Sequence, residues 1–362
     1  MQKLLAFRAD GNSKIGMGHV MRCLSVANAA KNAGYQCVFI LADHSCESVI
    51  KENDIETICL DSNCYNLESE VDKMITILEK YNFLSLIVDS YYATEYYLET
   101  CRKHLVAKDA SLVCFDGFFP FLPPCDVLIN YNVFGKARLE KLKNLYIEHA
   151  RKLPLMLAGT RFTPLRQEFL NIDVRVNKTE GKNIFISTGG ADSYHIALEL
   201  VKEIINSASS LIYHIVVGKF NKDKGEILSL STSHDNIHIY CDVNNICQLM
   251  MEADIAVSAS GSTLYEVCAT QTPTITYVLA DNQVAGADEF SRQDIMINAG
   301  DVRVLGNKRL ARQLIDYVHK LSLDFTKRCI MSGKMRDVVD GNGAKRIIDA
   351  VGNMTAGENP CS

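Results

Sequence analysis

Leu4-Leu5-Ala6-Phe7-Arg8-Ala9-Asp10-Gly11-Asn12-Ser13-Lys14-Ile15-Gly16-Met17-Gly18-His19 decides the fold of this chain. An apolar run empties into a polar loop, and a histidine stands behind two glycines where a helix begins. The pattern predicts a buried strand over Lys3 to Arg8 and a helix over Val20 to Lys31. The loop between them is the first strand-to-helix turn of an α/β domain, the place where open α/β sheets bind ligands.

Gly16 and Gly18 let the backbone approach a ligand closely and visit positive φ, and the free N–H groups of the helix start suit anionic oxygens. The helix dipole disfavours an imidazolium at the same end. His19 is therefore expected in the neutral form that accepts a proton, as a general base must. His19 and Cys23 stand four apart, a spacing that also permits a shared metal or a thiol–imidazole pair. Cys23, however, falls beside Leu24 and Ala27 on the core face, with no further ligands nearby.

The 362 residues suffice for two domains with their own cores. A net charge of −5, scattered lysines and the absence of tryptophan point away from a nucleic-acid partner. The basic segment Lys136 to Lys152 alternates with leucines and isoleucine as a solvated helix face does. Thirteen cysteines, an odd count without a C-x-x-C pair, read as reduced core residues of a cytoplasmic protein. No run reaches the roughly 18 apolar residues of a membrane span, so no membrane partner is expected.

Short apolar runs recur between helical patterns: Cys37 to Leu41, Leu84 to Asp89, Leu112 to Asp116, Val127 to Asn130, Asn183 to Ser187, Ile212 to Val217, Ile237 to Tyr240, Ile255 to Ser258 and Thr274 to Leu279. This alternation means parallel sheets flanked by helices, with functional loops at the strand carboxyl ends. Pro154, Gly159 and Pro164 interrupt the pattern. The expected division is a first domain over 1–160, a second over 175–330, and a C-terminal helix and tail over 331–362, frayed from Thr355.

Two further strand, loop and helix units carry candidate anion sites. Thr188-Gly189-Gly190-Ala191-Asp192-Ser193 follows the strand at Asn183, and its other reading is a tight turn with Asp192 or Ser193 as N-cap. In Ser258-Ala259-Ser260-Gly261-Ser262-Thr263-Leu264-Tyr265-Glu266, backbone N–H groups from Ser260 to Thr263 could hold a diphosphate. Glu266 could accept from two ribose hydroxyls, while Thr263 to Glu266 equally fits a capping box. The stretch is no serine-hydrolase elbow, because the opening glycine is absent. Asn282 and Gln283 follow the apolar strand that starts at Pro273.

With these residues assembled, the chain resembles the UDP-sugar hydrolases of pseudaminic acid (nonulosonate) biosynthesis, which act on UDP-2,4-diacetamido-2,4,6-trideoxy-β-L-altropyranose. The resemblance runs through nearly the whole chain. Its most specific part is Arg8-Ala9-Asp10 with Ile15-Gly16-x-Gly18-His19-Val20-x-Arg22-Cys23-Leu24. The remainder is Asp89-x-Tyr91, Asp126 to Asn130, Leu165-Arg166-x-Glu168-Phe169, Gly189-Gly190-x-Asp192, Ser258 to Glu266, Asn282-Gln283 and Asp340-Gly341-x-Gly343-x-x-Arg346. That family is in turn similar to the enzyme that adds N-acetylglucosamine to lipid I.

The resemblance implies an α/β fold of two facing Rossmann-like domains, of the glycosyltransferase B type, with a cleft between them. It implies no metal and no cofactor. His19, Tyr91 and Asn282 take the catalytic roles, with His19 serving the attacking water. Asp10, Gly16, Gly18, Arg166 and Gln283 bind the substrate. Gly189, Gly190, Ser260, Gly261, Ser262, Thr263 and Glu266 hold UDP. The chain departs from the family at Asp89-Ser90-Tyr91-Tyr92, often Asp-His-Tyr-Gly, and at Asp116-Gly117, often Asp-Asp. The expected reaction is metal-independent release of UDP and free sugar with inversion at the anomeric carbon. A UDP-sugar-dependent glycosyltransferase for surface or spore-coat polysaccharide is the alternative, and a non-catalytic sugar-nucleotide binder the third.

Overall fold

A computed structural model describes residues 3–355 apart from Ser13, Lys219, Asp242 and Asn244. The tail expected from Thr355 falls, from residue 356 onward, outside the described residues. The described residues up to Arg166, with those from Asn342 on, form one compact unit, and Gln167–Gly341 forms the other.

In the first unit the strands are β1 (Leu4–Ala9), β2 (Gln36–Leu41), β3 (Glu56–Cys59), β4 (Phe83–Asp89), β5 (Ser111–Phe115), β6 (Val127–Asn130) and β7 (Leu155–Ala158). They pair in parallel in the order β3-β2-β1-β4-β5-β6-β7. The crossovers run through α1 (Gly18–Asn32), α2 (Glu47–Lys51), α3 (Val71–Lys80), α4 (Glu95–Val106) and α5 (Gly135–Glu148). Parallel strands covered on both faces must be apolar throughout, and Leu5, Ala6, Phe7, Ile40, Leu86 and Val88 are fully buried. The winding direction reverses between β1 and β4. Their carboxyl ends lie side by side, Ala9 opposite Asp89, at the kind of switch point that opens a crevice.

The second unit repeats the plan with β8 (Asn183–Ser187), β9 (Ile212–Val217), β10 (Ile237–Cys241), β11 (Ile255–Ala259), β12 (Thr274–Val278) and β13 (Ile297–Asp301). Their order is β10-β9-β8-β11-β12-β13, so this sheet reverses between β8 and β11. Its helices are α6 (Ile196–Asn206), α7 (Lys224–Ser231), α8 (Ile246–Glu252), α9 (Thr263–Ala269), α10 (Asp281–Arg292), α11 (Val302–Leu305), α12 (Asn307–Leu323) and α13 (Phe325–Arg336). Ile186, Ile215, Val257 and Ile275 of the sheet pack with Leu200 and Val201 of α6 and Leu310 and Leu314 of α12. The fully buried Arg328 guanidinium donates to the carbonyls of Leu321 and Ser322, closing the end of α12, and to those of Lys178 and Thr179.

The last helix, α14 (Gly343–Thr355), belongs to the first unit and packs along α1. A Cβ on Gly343 would lie 2.1 Å from the carbonyl oxygen of Thr163 and 2.5 Å from its nitrogen, so only glycine lets the helix start there. Arg346 Nη1 then donates to the Arg161 carbonyl at 2.9 Å. Part of the Asp340-to-Arg346 motif is thus a docking device for α14. No described helix is long and apolar enough to cross a membrane, and Cys23 to Cys329 are free thiols.

Gly343→Ala is expected to destabilise the chain by about 1 to 3 kcal/mol through this backbone clash. Thermal unfolding followed by circular dichroism checks it. An unchanged midpoint would contradict the packing described.

Candidate functional site

The β1 carboxyl end leads into a loop tied to itself and to its surroundings. Asn12 Oδ1 accepts from the amides of Lys14 and Ile15, and the Gly16 amide donates to the Asn12 carbonyl at 2.9 Å. Gly16 sits at φ +74°, a left-handed conformation that favours glycine, with nothing within 4 Å of where a Cβ would be. Gly18 is the first residue of α1, whose start has neither a side-chain cap nor an acidic residue in its first turn.

Asp10 turns inward. Its Oδ2 takes the Arg8 guanidinium at 2.5 Å and its Oδ1 the Ala42 amide at 2.7 Å. Arg8 is fully buried and also grips Glu70, which accepts further from Ser62 and Tyr97. Burial opposes the Arg8 charge, but Asp10 and Glu70 overcome it and raise the guanidinium pKa well above its usual value. This network fastens the loop start to the β2 and β3 side of the sheet.

His19, in the first turn of α1, is 4% exposed, and its Nδ1 lies 2.6 Å from Asp89 Oδ1 at the end of β4. Arg22, one turn further along α1, binds both oxygens of the same carboxylate through Nε and Nη2. Arg22 Nη2 also lies 2.6 Å from Nδ1. A bare Nδ1 lone pair against a carboxylate oxygen would be repulsive, whereas Nη2 has that carboxylate as its acceptor. In a neutral ring the proton therefore belongs on Nδ1, donated to Asp89, and Nε2 is the nitrogen with the lone pair. Burial works against the Asp89 charge, yet Arg22 and His19 hold its carboxyl down at about 2. The Arg22 guanidinium lies over the rings of Phe115 and Tyr131, at 5.7 and 5.8 Å.

Tyr91, two residues past Asp89, sets its half-exposed ring edge-on to His19, with centroids 4.4 Å apart at 82°. Cys23 donates its thiol to Asp89 Oδ2 at 3.8 Å, and burial pushes that thiol well up. Arg166 is the last residue of the first unit before the boundary at Gln167.

In the second unit, Gly189 has φ +87° and Cβ positions on Gly189, Gly190 and Gly261 would meet nothing within 4 Å. The Asp192 carboxylate accepts from the amides of Ile196 and Ala197 at 2.9 and 2.8 Å and so caps α6, with His195 as the left-handed residue before the helix. Ser260 spends its amide on the Tyr277 carbonyl and its hydroxyl on Thr276 and that same carbonyl. The Gly261 amide bonds the Ala259 carbonyl. Ser262 is the N-cap of α9 without a side-chain cap bond, Thr263 opens the helix, and Glu266 lies in its first turn. Asn282 and Gln283 lie in the first turn of α10, and Gln283 Oε1 accepts from the Leu279 amide at 2.8 Å.

The structure thus brings His19, Tyr91, Gly16 and Gly18 together at the carboxyl end of the first sheet, and Gly189, Gly190 and Ser260 to Glu266 at that of the second. Asp89 and Arg22 are the partners of His19 that residue-type reasoning did not assign. Their signal was an aspartate ending a buried strand and an arginine one helical turn after a histidine.

No protein-family model matches the sequence. The chain is a homologue of a UDP-sugar hydrolase. It is 24% identical over 264 residues to the UDP-2,4-diacetamido-2,4,6-trideoxy-beta-L-altropyranose hydrolase of Campylobacter jejuni, covering 72% of this chain and 86% of that protein. An uncharacterized Methanocaldococcus jannaschii protein, MJ1062, is 25% identical over 296 residues, which are 77% of this chain but 56% of that protein. The spore coat polysaccharide biosynthesis protein SpsG of Bacillus subtilis is 20% identical over 347 residues, 94% and 95% of the two chains.

Among solved structures, Acinetobacter baumannii MurG has a TM-score of 0.67 at 13% identity, with 98% of this chain and all 100% of that one covered. Medicago truncatula UGT71G1, complexed with UDP-glucose, has 0.64 at 13% identity, with 98% of each covered. The fold is that of the two-domain glycosyltransferases, with two Rossmann-like domains.

Asp89 titrates at about 2 in the fold and near ~3.9 in an unfolded chain, so its ionisation contributes about 2 kcal/mol above that unfolded value. The contribution disappears as the pH falls through about 2. Asp89→Asn should lower stability at neutral pH and flatten the acid loss between about pH 4 and about pH 2, read by urea unfolding at a series of pH values. An unaltered acid slope would contradict the ion pair.

Proposed function

We propose that the chain is a nucleotide-sugar-processing enzyme that hydrolyses a UDP-linked 2,4-diacetamido-2,4,6-trideoxy sugar, releasing UDP and the free sugar, in pseudaminic acid biosynthesis. The observation that carries this reading is the His19–Asp89 pair at the switch point of the first sheet, in a homologue of such a hydrolase.

Nε2 of His19 takes a proton from water as the water oxygen bonds to the anomeric carbon and the bond from that carbon to the diphosphate oxygen breaks, with inversion. The developing imidazolium is balanced by Asp89, which stays ionised beside Arg22. UDP departs as a good leaving group, so the base is the main chemical requirement. Loop amides of the second unit, around Gly189 and Gly190 and at the α9 start, suit the growing diphosphate charge, and Glu266 suits the ribose hydroxyls. Tyr91 bounds the space beside His19, and Asn282 is assigned to the sugar and water.

The relation to SpsG and the shared fold keep a glycosyltransferase as the second reading, with an acceptor hydroxyl in place of water. Incubation of the protein with a UDP-sugar panel in ¹⁸O-water, without acceptor, separates them. Steady release of free sugar carrying the label supports hydrolysis at carbon; label in UDP, or no turnover until an acceptor is added, overturns it. His19→Gln should lose ~100- to ~10,000-fold in kcat while UDP still raises the melting temperature. Near-normal kcat in that variant removes His19 from the role.

A further inference from the structure

Away from His19, the edge strand β3 and the loop that follows β2 bring together a different set of donors. Among the described residues, His44, Glu47 and Cys59 present one nitrogen, one oxygen and one sulfur within 4.8 Å of one another. His44 Nδ1 lies 2.8 Å from Glu47 Oε2 and 3.2 Å from Cys59 Sγ. These are three ligand types from three points of the chain: the loop, the short helix α2 and the end of β3.

The groups around the triad orient it as the outer partners of a metal site would. Thr57 Oγ1 donates to Glu47 Oε1 at 2.8 Å, and Lys51 Nζ lies 2.8 Å from that same oxygen, which leaves Oε2 to face His44 and Cys59. Asp61 Oδ1 stands 3.8 Å from His44 Nε2, on the far side of the ring from the other donors. A carboxylate there can hold the Nε2 proton once Nδ1 gives up its own to bind a cation, the arrangement that metal-bound histidines use. The Asp43 carbonyl lies 3.8 Å from Cys59 Sγ and bounds the remaining side.

We propose that His44 Nδ1, Glu47 Oε2 and Cys59 Sγ form a binding site for a zinc-class divalent cation that clips the β2–α2 loop to edge strand β3. A mixed nitrogen, oxygen and sulfur set matches a borderline-soft ion, and a water completes four-coordination. Bonds of about 2.0 to 2.3 Å place tetrahedral ligands about 3.3 to 3.7 Å apart, so the two closest donors must open by roughly half an ångström. The His44 side chain is 65% exposed and free to make that adjustment. Binding releases the Cys59 thiol proton and the Nδ1 proton, and the cation replaces the hydrogen bonds now joining the three groups. The site stands apart from the hydrolytic chemistry, and its test does not depend on any UDP-sugar.

Co²⁺ titration of the full chain followed by absorption tests the assignment. One equivalent should produce a near-ultraviolet thiolate-to-cobalt band with tetrahedral visible bands, displaced by Zn²⁺. Cys59→Ser and His44→Asn should abolish the band, Cys329→Ser should retain it, and Thr57→Val should weaken Co²⁺ affinity roughly 10-fold. Zn²⁺ should raise the melting temperature of the wild type and not that of His44→Asn, whose exposed side chain leaves folding intact. Absence of a thiolate band, or its persistence in Cys59→Ser or His44→Asn, would show a hydrogen-bonded surface cluster or another thiol, and would overturn the proposal.

Discussion

Everything at the carboxyl end of the first sheet depends on one buried carboxylate. Asp89 is 1% exposed, and withdrawing a lone carboxylate from water would cost several kcal/mol. Arg22 offsets that cost with two hydrogen bonds to its two oxygens, and His19 adds one through Nδ1. Both partners stand on one face of α1, three residues apart. The ion pair therefore fixes how the first helix leaves the first strand, and with it the loop that carries Gly16 and Gly18. A second buried network, Arg8 with Asp10 and Glu70, holds the same loop from the opposite side. The imidazole between these anchors has little freedom to turn. Restricted rotation is what a base acting on one water requires.

The two units solve the loop problem differently. The first relies on charge, with guanidinium groups and carboxylates buried beneath the loop. The second relies on small residues and hydroxyls: Gly189, Gly190 and Gly261 leave space, and Ser260 and Thr276 bond one another below them. Among the described residues, Tyr277 buries its hydroxyl without a hydrogen-bond partner near the same strand ends. A loop with space and amides suits a diphosphate, and a loop with a fixed imidazole suits proton transfer. This division of labour fits a nucleotide-sugar enzyme.

Much of the fold was legible in the sequence because buried parallel strands must be apolar runs ending in loop formers, as in Leu84 to Asp89 and Asn183 to Ser187. β3, β7 and β13 were not legible, for separate reasons. Glu56–Cys59 is a half-exposed edge strand, Leu155–Ala158 is four residues between Pro154 and Gly159, and Ile297–Asp301 is half-buried with Gly300 inside it. The histidine could be found from its loop, but its pairing with a carboxylate 70 positions away needs the strand order, which no local pattern carries. Asp10, which the resemblance assigned to the substrate, uses its two oxygens in this structure on Arg8 and the Ala42 amide, an internal role that only the fold discloses. Gly343 needed the fold as well, since its neighbour Thr163 lies far away in sequence.

The tautomer of His19 tests the account most directly. Long-range proton–nitrogen NMR on protein labelled with ¹⁵N-histidine, assigned by the His19→Gln spectrum, reports which ring nitrogen carries the proton in the neutral form. The wild type should carry the proton on Nδ1 with Nε2 bare, and Asp89→Asn should lose that preference. A wild-type His19 protonated on Nε2 and bare at Nδ1 would contradict the account, because Nε2 would then have no lone pair for the base role proposed for it.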